Sequence, residues 1–590
     1  MAKNYAKKSQ KRMLIITIVA CVVVAALAGV LGVTKYLNTS PLFEDGDFAI
    51  ALADALDVHA RDLDEDLLSK YEAFVVTCEV NEDETGYEAA VILGDSVYAD
   101  DMINNFHEAS VDVDEEEKAE DEDEDSKDES SEDEINLDDH RVVVYYDFDS
   151  AKDVALFNNL RVLDMSGIKL RNYYTTWYYY YQYGYLGKIP ESNKVNDVTS
   201  LKNFSDLGSL EKLEYFAAGY SSLKDLSGIE NCKNLEFFEA MGTQVSDLSA
   251  LGGLENMSMV AVANTPVKDI APLAGLSKLN QVNVSNLGIS DISVLADKAE
   301  LYTLYASGNK ISDISALANK GSLVELDLSN NEVASVSALA NCVEIEKLYL
   351  NDNSISDISA LSSLAQLETV NLSNNSIADA AALGSCSKLT SLSVDNNKLT
   401  NLNGIVELSK LTTLSAKNNS ISDISGVAKL DAVTSIDLHN NKISDLGAFA
   451  EDKGMAAATT VVLSGNSGIT DISALENAFD VEKLTSINLS LIEEGSVTEE
   501  TPDGKLATGE NKNITSWDSL KKYYNLTTFG GAPEGFAVDE KPKDDEKDES
   551  STEDKSSEAD ASEADASEEV SEEVEESAEA SVEESTEAAA

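Results

Sequence analysis

Catalysis or metal binding in this chain of 590 residues would have to draw on four histidines, His59, His107, His140 and His439, and five cysteines. They are scattered. The sequence holds no H-E-x-x-H or C-x-x-C pair, no glycine-rich phosphate loop and no Ser/His/Asp spacing. No catalytic residue, no metal site and no cofactor is therefore expected, and the chain reads as a non-enzyme. His439, beside Asp437 and Lys417, reads as a surface residue. What the sequence does offer is recognition chemistry. Its densest piece is Tyr173, Tyr174, Trp177, Tyr178, Tyr179, Tyr180, Tyr181, Tyr183 and Tyr185, eight tyrosines and a tryptophan in thirteen residues. Flat amphipathic rings suit a protein or glycan surface; packed on one another, the same rings would make a lid or an edge strand.

The elements that must position such residues follow from a period. An aliphatic anchor recurs at Leu201, Leu223, Val245, Val267, Ile289, Ile311, Val333, Ile355, Ile377, Leu399, Ile421 and Ile443, always 22 residues apart. A thirteenth copy follows at Ile469, after an insertion around Glu451–Ala458. One copy reads Ile345, Leu348-Tyr349-Leu350, Asn353, Ile355, Asp357-Ile358, Leu361, Leu364. The alternation in Leu348-Tyr349-Leu350 has period two, which is a short strand with one face buried. Stacked copies pair these strands in parallel at ~4.8 Å, giving a solenoid. Between the buried positions each strand exposes residues on the concave side: Tyr215, then Phe237, Glu239 and Met241, then Met259, then Tyr305, Glu325, Asp327, Lys347 and Tyr349. Later copies carry Asn371, Ser373, Ser391, Ser393, Thr413, Ser415 and Ser435 instead. Aromatics and methionines on an open sheet face are typical of protein-binding anchors, unless the N-terminal region covers the early ones.

The other recurrent polar residues read as structural. Asn309, Asn331, Asn353, Asn375, Asn397, Asn419 and Asn441 share one register, so their amides can satisfy the turning backbone. Asp225, Asp247, Asp269, Asp291, Asp313, Asp357, Asp379, Asp423, Asp445 and Asp471 follow the anchor by two residues, where a carboxylate can cap a short convex helical turn. Cys232, Cys342 and Cys386 share a register with Leu254, Leu276, Leu364, Leu408 and Leu430 and read as buried core. Even the closest two are two turns apart, about 10 Å by the strand spacing, beyond disulfide reach.

The frame resembles the bacterial internalin-type leucine-rich repeat over about residues 195–490. The resemblance implies an α/β solenoid, an arc of about 13 regular repeats with a parallel β-sheet on the concave face, short helical turns on the convex face and an N-terminal helical cap. Asp47–Val76 has helical spacing suited to that cap, Phe157–Met165 resembles an opening repeat, Leu484–Leu489 gives another strand, and Leu520–Phe529 a closing element. Residues 80–111 have no evident reading. Adhesion or partner recognition is implied; host invasion is not carried over, because no L-P-x-T-G signal and no post-repeat module are recognisable.

The rest of the chain is organised by charge. The formal net charge is −66, with 109 acidic residues against 43 Lys and Arg, which excludes a nucleic-acid reader with a basic face. Asp112–Asp139 carries 18 acids and 2 lysines, and Lys541–Ala590 carries 21 acids and 4 lysines. With almost no large apolar side chains, both read as disordered, an insertion at 112–139 and a tail at 541–590. Met13–Val33 is uncharged over 21 residues and follows Lys3, Lys7, Lys8, Lys11 and Arg12. It reads as a transmembrane signal anchor behind a cytosolic segment 1–12, single-pass with an extracytoplasmic C-terminal region. A signal peptide cleaved at Ala26-Leu27-Ala28, leaving a secreted protein, competes with it, as does a weaker lipoprotein reading at Cys21. The expected organisation is then 13–33 anchor, 41–160 N-terminal cap region, 161–194 opening repeat with the Tyr-rich insertion, 195–490 repeats and 491–540 C-terminal cap. The expected function is a membrane-tethered recognition protein of a bacterium, Gram-positive by preference. It would take a protein partner, or glycan or cell-wall material, but no nucleic acid. The alternatives are an envelope spacer whose acidic segments bind cations, or an intracellular scaffold.

Overall fold

Each 22-residue copy closes one turn of a solenoid in the computed structural model of this chain, which describes residues 40, 42–80, 87–108, 137–144, 146, 148–166, 200–427, 429–450, 455–491 and 510–541. The turn built around Lys347–Tyr349 shows why. Ile345, Leu348, Leu350, Ile355, Ile358, Leu361 and Leu364 are all buried, and full burial of each such side chain contributes about 1.5–3 kcal/mol. The residue before the ladder asparagine must reverse the chain with a positive φ. That position is Asn330, Asp352, Asn374, Asn396, Asn418 or Asn440, and in the earlier copies, where Thr265 and Leu287 replace the ladder asparagine, Asn264 or Asn286, with φ between 53° and 59°; asparagine tolerates this conformation better than most residues. Gly242 and Gly308 do the same job in two copies, at φ 66° and 67°.

The asparagine that follows then ties one turn to the last. Asn353 Nδ2 donates to Leu328 O at 2.9 Å, Leu350 O at 3.1 Å and Asn351 O at 3.2 Å, while its Oδ1 accepts from Val333 N at 2.9 Å. The same pattern holds at Asn309, Asn331, Asn375, Asn397, Asn419 and Asn441, and Asn466 continues it beyond the insertion. The ten aspartates sit where the spacing put them: Asp357 Oδ1 accepts from Ser359 N at 2.8 Å, at the start of the 3-10 turn Ser359–Ser363. The convex connections are these 3-10 turns, the shorter-pitch form of the expected helical turns.

The strands are β1 (Ala73–Val80), β2 (Tyr87–Gly94), β3 (Arg141–Val144), β4 (Val162–Asp164), β5 (Tyr215–Ala217), β6 (Phe237–Glu239), β7 (Met259–Ala261), β8 (Gln281–Asn283), β9 (Thr303–Tyr305), β10 (Glu325–Asp327), β11 (Lys347–Tyr349), β12 (Thr369–Asn371), β13 (Ser391–Ser393), β14 (Thr413–Ser415), β15 (Ser435–Asp437), β16 (Thr460–Val462), β17 (Ser486–Asn488) and β18 (Thr528–Gly530). They form one sheet. From β4 to β18 neighbours pair in parallel in chain order, β1 pairs in parallel with β4, and β2 and β3 add antiparallel strands at the N-terminal edge.

The N-terminal cap is only partly the helix its spacing suggested. Helix α1 (Gly46–Leu56) is present, capped by Asp45, and α2 (Glu65–Leu68) follows. Ala73–Val76, however, belongs to β1 and is buried on both faces: Phe74 and Val76 join the main core, Ala73 and Val75 the cluster under α3, and the strand pairs with β4 at the end of the repeat sheet. Residues 80–111, which had no reading, supply β2 and α3 (Ser96–Glu108). The cap is filled by rings: Phe74 meets Phe148 and Phe157 edge-on, each at 5.2 Å. At the other end Tyr523 is fully buried and its hydroxyl donates to Leu475 O at 2.6 Å.

Among the described residues no helix is long and apolar enough to cross a membrane. This corrects the single-pass expectation, and the segment Met13–Val33 on which it rested lies outside the described residues. The Tyr-rich insertion and most of the acidic insertion, residues 109–136, also lie outside them. The chain divides into Met1–Glu540 and Lys541–Ala590, and of the second unit only Lys541 is described.

Candidate functional site

The concave sheet face splits into two parts. Over β4–β7 it is apolar and covered. Asp95 caps α3 by accepting from Val97 N at 2.9 Å and Tyr98 N at 3.3 Å. Tyr98 and Ala99 of the helix are buried in one apolar cluster with Ala73, Val75, Ile92, Val162, Tyr215, Ala217 and Phe237, and Met102, Ile103 and Met259 pack against it. Arg161 reinforces the junction, gripping Glu214 with Nε at 2.7 Å and Nη2 at 3.0 Å while Nη1 reaches Asp100 at 2.6 Å.

The expectation that Tyr215 and Phe237 face solvent is therefore corrected. They are 8% and 6% exposed, with rings stacked at 4.3 Å and 5°. Their area is too large to leave in water, and the apolar cluster that they share with Tyr98 and Ala99 of α3 removes it. Met241 is buried with Ala261 and Ala263, and half-buried Met259 bridges the two groups. Glu239 is fully buried. Its Oε1 accepts from Met241 N and its Oε2 from Gly219 N at 2.9 Å. Burial pushes its carboxyl up to about 8, with the charge of Asp164 adding to the effect and the N–H donors opposing it.

Beyond Met259 the face turns polar: Tyr305 and Glu325 are half-buried, whereas Asp327, Lys347 and Tyr349, expected on the open face, are only 3%, 9% and 8% exposed, packed among their register neighbours. Tyr305, Glu325, Asp327, Lys347 and Tyr349 come together here, because Tyr305, Asp327 and Tyr349 are register neighbours and so are Thr303, Glu325 and Lys347. Glu325 is pushed up to about 7 by burial and by the charges of Asp327 and Glu346, against a hydrogen bond from the Tyr305 hydroxyl. Burial raises Asp327 as well, although Ser329 N donates to it at 2.8 Å. Lys347 is lowered by burial, with Glu368 opposing.

Farther along, Asp395 pairs with Lys417 at 3.3 Å. His439 Nδ1 lies 2.7 Å from Ser464 Oγ. Ser464 is fully buried, so this contact holds the histidine in place and presents no nucleophile to a substrate. Among the described residues no group of His, Cys, Asp and Glu could hold a metal ion.

Two features escaped the sequence reading. One is α3, whose apolar positions lie in a stretch without a recognised pattern. The other is Lys298 and Lys320, both 2% exposed, which occupy the same register as Cys232, Cys342 and Cys386. Their stems fill the core position while Nζ donates to Ala274 O at 2.7 Å and Ala296 O at 2.6 Å. The three cysteines are buried, as their register required.

The family described as Leucine Rich repeats (2 copies) matches residues 321–363, 343–383, 365–407 and 409–451. No curated protein matches the chain. Among solved structures, the internalin InlF of Listeria monocytogenes is 29% identical over 48% of this chain and 88% of its own, with a TM-score of 0.41. Internalin C2 of the same species is 31% identical over 31% of this chain and 82% of its own, with a TM-score of 0.30. A leucine-rich-repeat protein of Leptospira interrogans is 16% identical over 65% of this chain and 81% of its own, with a TM-score of 0.45. The 22-residue frame, its asparagine ladder and the identity to internalin C2 agree, and the chain belongs to the internalin-type leucine-rich-repeat proteins.

Proposed function

We propose that this chain is a non-catalytic recognition protein that takes a protein partner on the concave sheet face between β8 and β15. The observation that carries the reading is the change of character at Met259. On its N-terminal side the face is covered by the chain's own helix. On the other side Tyr305 and Glu325 stand half-exposed beside Tyr349 and Lys347, with serines and threonines beyond. Tyrosine anchors inside a polar surround are how protein interfaces concentrate binding energy.

The test places a photo-crosslinking phenylalanine analogue at Tyr305, at Asn371 and, as a convex control, at exposed Ser362. Crosslinked partner is expected from 305 and 371 only. Equal yield from 362, or none from 305, would sink the concave reading.

A further inference from the structure

We infer that the partner segment seated on β9–β12 is extended and cationic, a Lys- or Arg-rich stretch whose side chains lie among Glu325, Glu346 and Glu368 and the rings of Tyr302, Tyr305 and Tyr349. The inference rests on the concave face being the binding face, and adds the chemistry of what binds.

The geometry supplies the first argument. Glu346 and Glu368 precede β11 and β12 on adjacent turns, joined by Glu368 N donating to Glu346 O at 2.8 Å. Tyr302 stands in the same column, with Val324 N donating to its carbonyl at 2.9 Å. One strand position inward, Glu325 is the register neighbour of Lys347, and Tyr305 and Tyr349 flank Asp327 from either side. Carboxylates and tyrosine rings thus interleave over four strands, a span of about 14 Å at the sheet spacing. An extended peptide crossing the strands presents same-side residues about every 6.6 Å, so three successive side chains on one side cover that span.

Charge supplies the second. Four carboxylates, Glu325, Asp327, Glu346 and Glu368, share these strands with a single ammonium, Lys347, which Glu368 already faces. Burial first, and then the charges of Asp327 and Glu346, raise Glu325 against the Tyr305 hydroxyl. An arriving ammonium or guanidinium relieves that repulsion, and ring faces beside it add cation–π attraction. The chain's net charge of −66 steers cations toward it and repels acidic partners. No metal array competes for these groups among the described residues.

Fluorescence anisotropy of a short labelled peptide alternating Lys and Thr, titrated with the full chain at about 0.15 M salt, reads the proposal directly. Its Glu/Thr counterpart is the charge control. The chain carries other acidic stretches, so the decisive comparison is the triple variant Glu325→Gln, Glu346→Gln, Glu368→Gln, which keeps shape and hydrogen-bonding capacity. Circular dichroism confirms its fold, and Glu346→Gln alone serves as a milder second variant. The Lys peptide is expected to bind the native chain, with the Glu peptide not binding. The triple variant should weaken it about tenfold, as three partly exposed pairs together would. Unchanged affinity in the folded triple variant would assign the peptide to the acidic segments and overturn the inference. Equal binding of the Glu peptide would overturn it too, as would salt-sensitive self-association that the triple variant abolishes, because the occupant would then be a second copy. A neutral or acidic partner crosslinked from Tyr305 would overturn the cationic occupant yet leave the concave reading standing, whereas no crosslink from Tyr305 removes the reading on which both rest.

Discussion

Replacing Glu239 with Gln should reverse in effect across the neutral pH range. In the folded chain the carboxyl is fully buried, and Asp164 lies two strands away with only Ala217 between them in register. Burial comes first among the causes that lift it from its ordinary 4.5 to about 8. A raised folded value means the folded state holds a proton that the unfolded chain has released. The associated stability is complete below about pH 4.5 and is lost as pH rises through about 8. At 1.36 kcal/mol per pH unit, the full loss is roughly 5 kcal/mol. Glutamine does not titrate, but its amide can accept only one of the two N–H bonds from Met241 and Gly219 and turns a donor toward the other, costing about 1–3 kcal/mol at every pH. The variant should therefore be less stable than the native chain near pH 5, with a lower urea midpoint. Near pH 9 it should be more stable, by about 2–4 kcal/mol. Urea unfolding followed by near-ultraviolet circular dichroism at several pH values measures both curves. Glu325 titrates in each, so their difference isolates Glu239. Parallel curves would show that Glu239 is ionised in the fold despite its burial, and the argument would fail.

Asn353→Ala removes the acceptor of Val333 N and one of at least two donors to each of Leu328 O, Leu350 O and Asn351 O and should cost about 1–3 kcal/mol by urea unfolding. Asp357→Ala, which removes an exposed cap, should cost clearly less, and equal losses would refute the ladder's role. Burial pushes the Cys232 thiol up to about 12 and the Cys386 thiol up to about 11, and raises Cys342. Iodoacetamide at about pH 8 should then alkylate these three, by peptide mapping, only after unfolding; labelling of the native chain would contradict their burial.

The solenoid was legible because every turn solves the same problem with the same residues. Leu348, Leu350, Ile355 and Leu361 declare a buried face, and Asn353 declares a backbone needing an amide, so the period carries strand, turn and register together. The left-handed residue was written there too, in the Asn, Asp or Gly before each ladder asparagine. Lys298 and Lys320 were not legible. Composition reads lysine as a surface residue, whereas in this register its four-carbon stem replaces a leucine and its ammonium leaves the core to meet a carbonyl. The N-terminal strands were missed for a related reason. Ala73–Val76 pairs with Val162–Asp164 far along the chain, and a local pattern of apolar residues cannot report such a partner.

The concave face shows where repetition stops being informative. Tyr215, Phe237, Glu239, Met259, Tyr305, Glu325, Asp327, Lys347 and Tyr349 lie on strands and Met241 lies just beyond one, yet burial at these positions differs from turn to turn and is not written in the repeat. Tyr215, Phe237, Met241 and Met259 are bulky and apolar, whereas Gln281 and the positions after it are mostly polar. A solenoid repeats its backbone, so nothing in the turn itself explains that shift. A cover of limited length does. The cluster that holds Tyr98 and Ala99, with Met102 and Ile103 packed against it, runs along the face to Met259. Where that reach ends, large apolar side chains would be left in water, and polar ones replace them. The end of that cluster thus marks the boundary between the apolar part of the face, which stabilises the N-terminal end, and the polar part on which the proposed partner would sit.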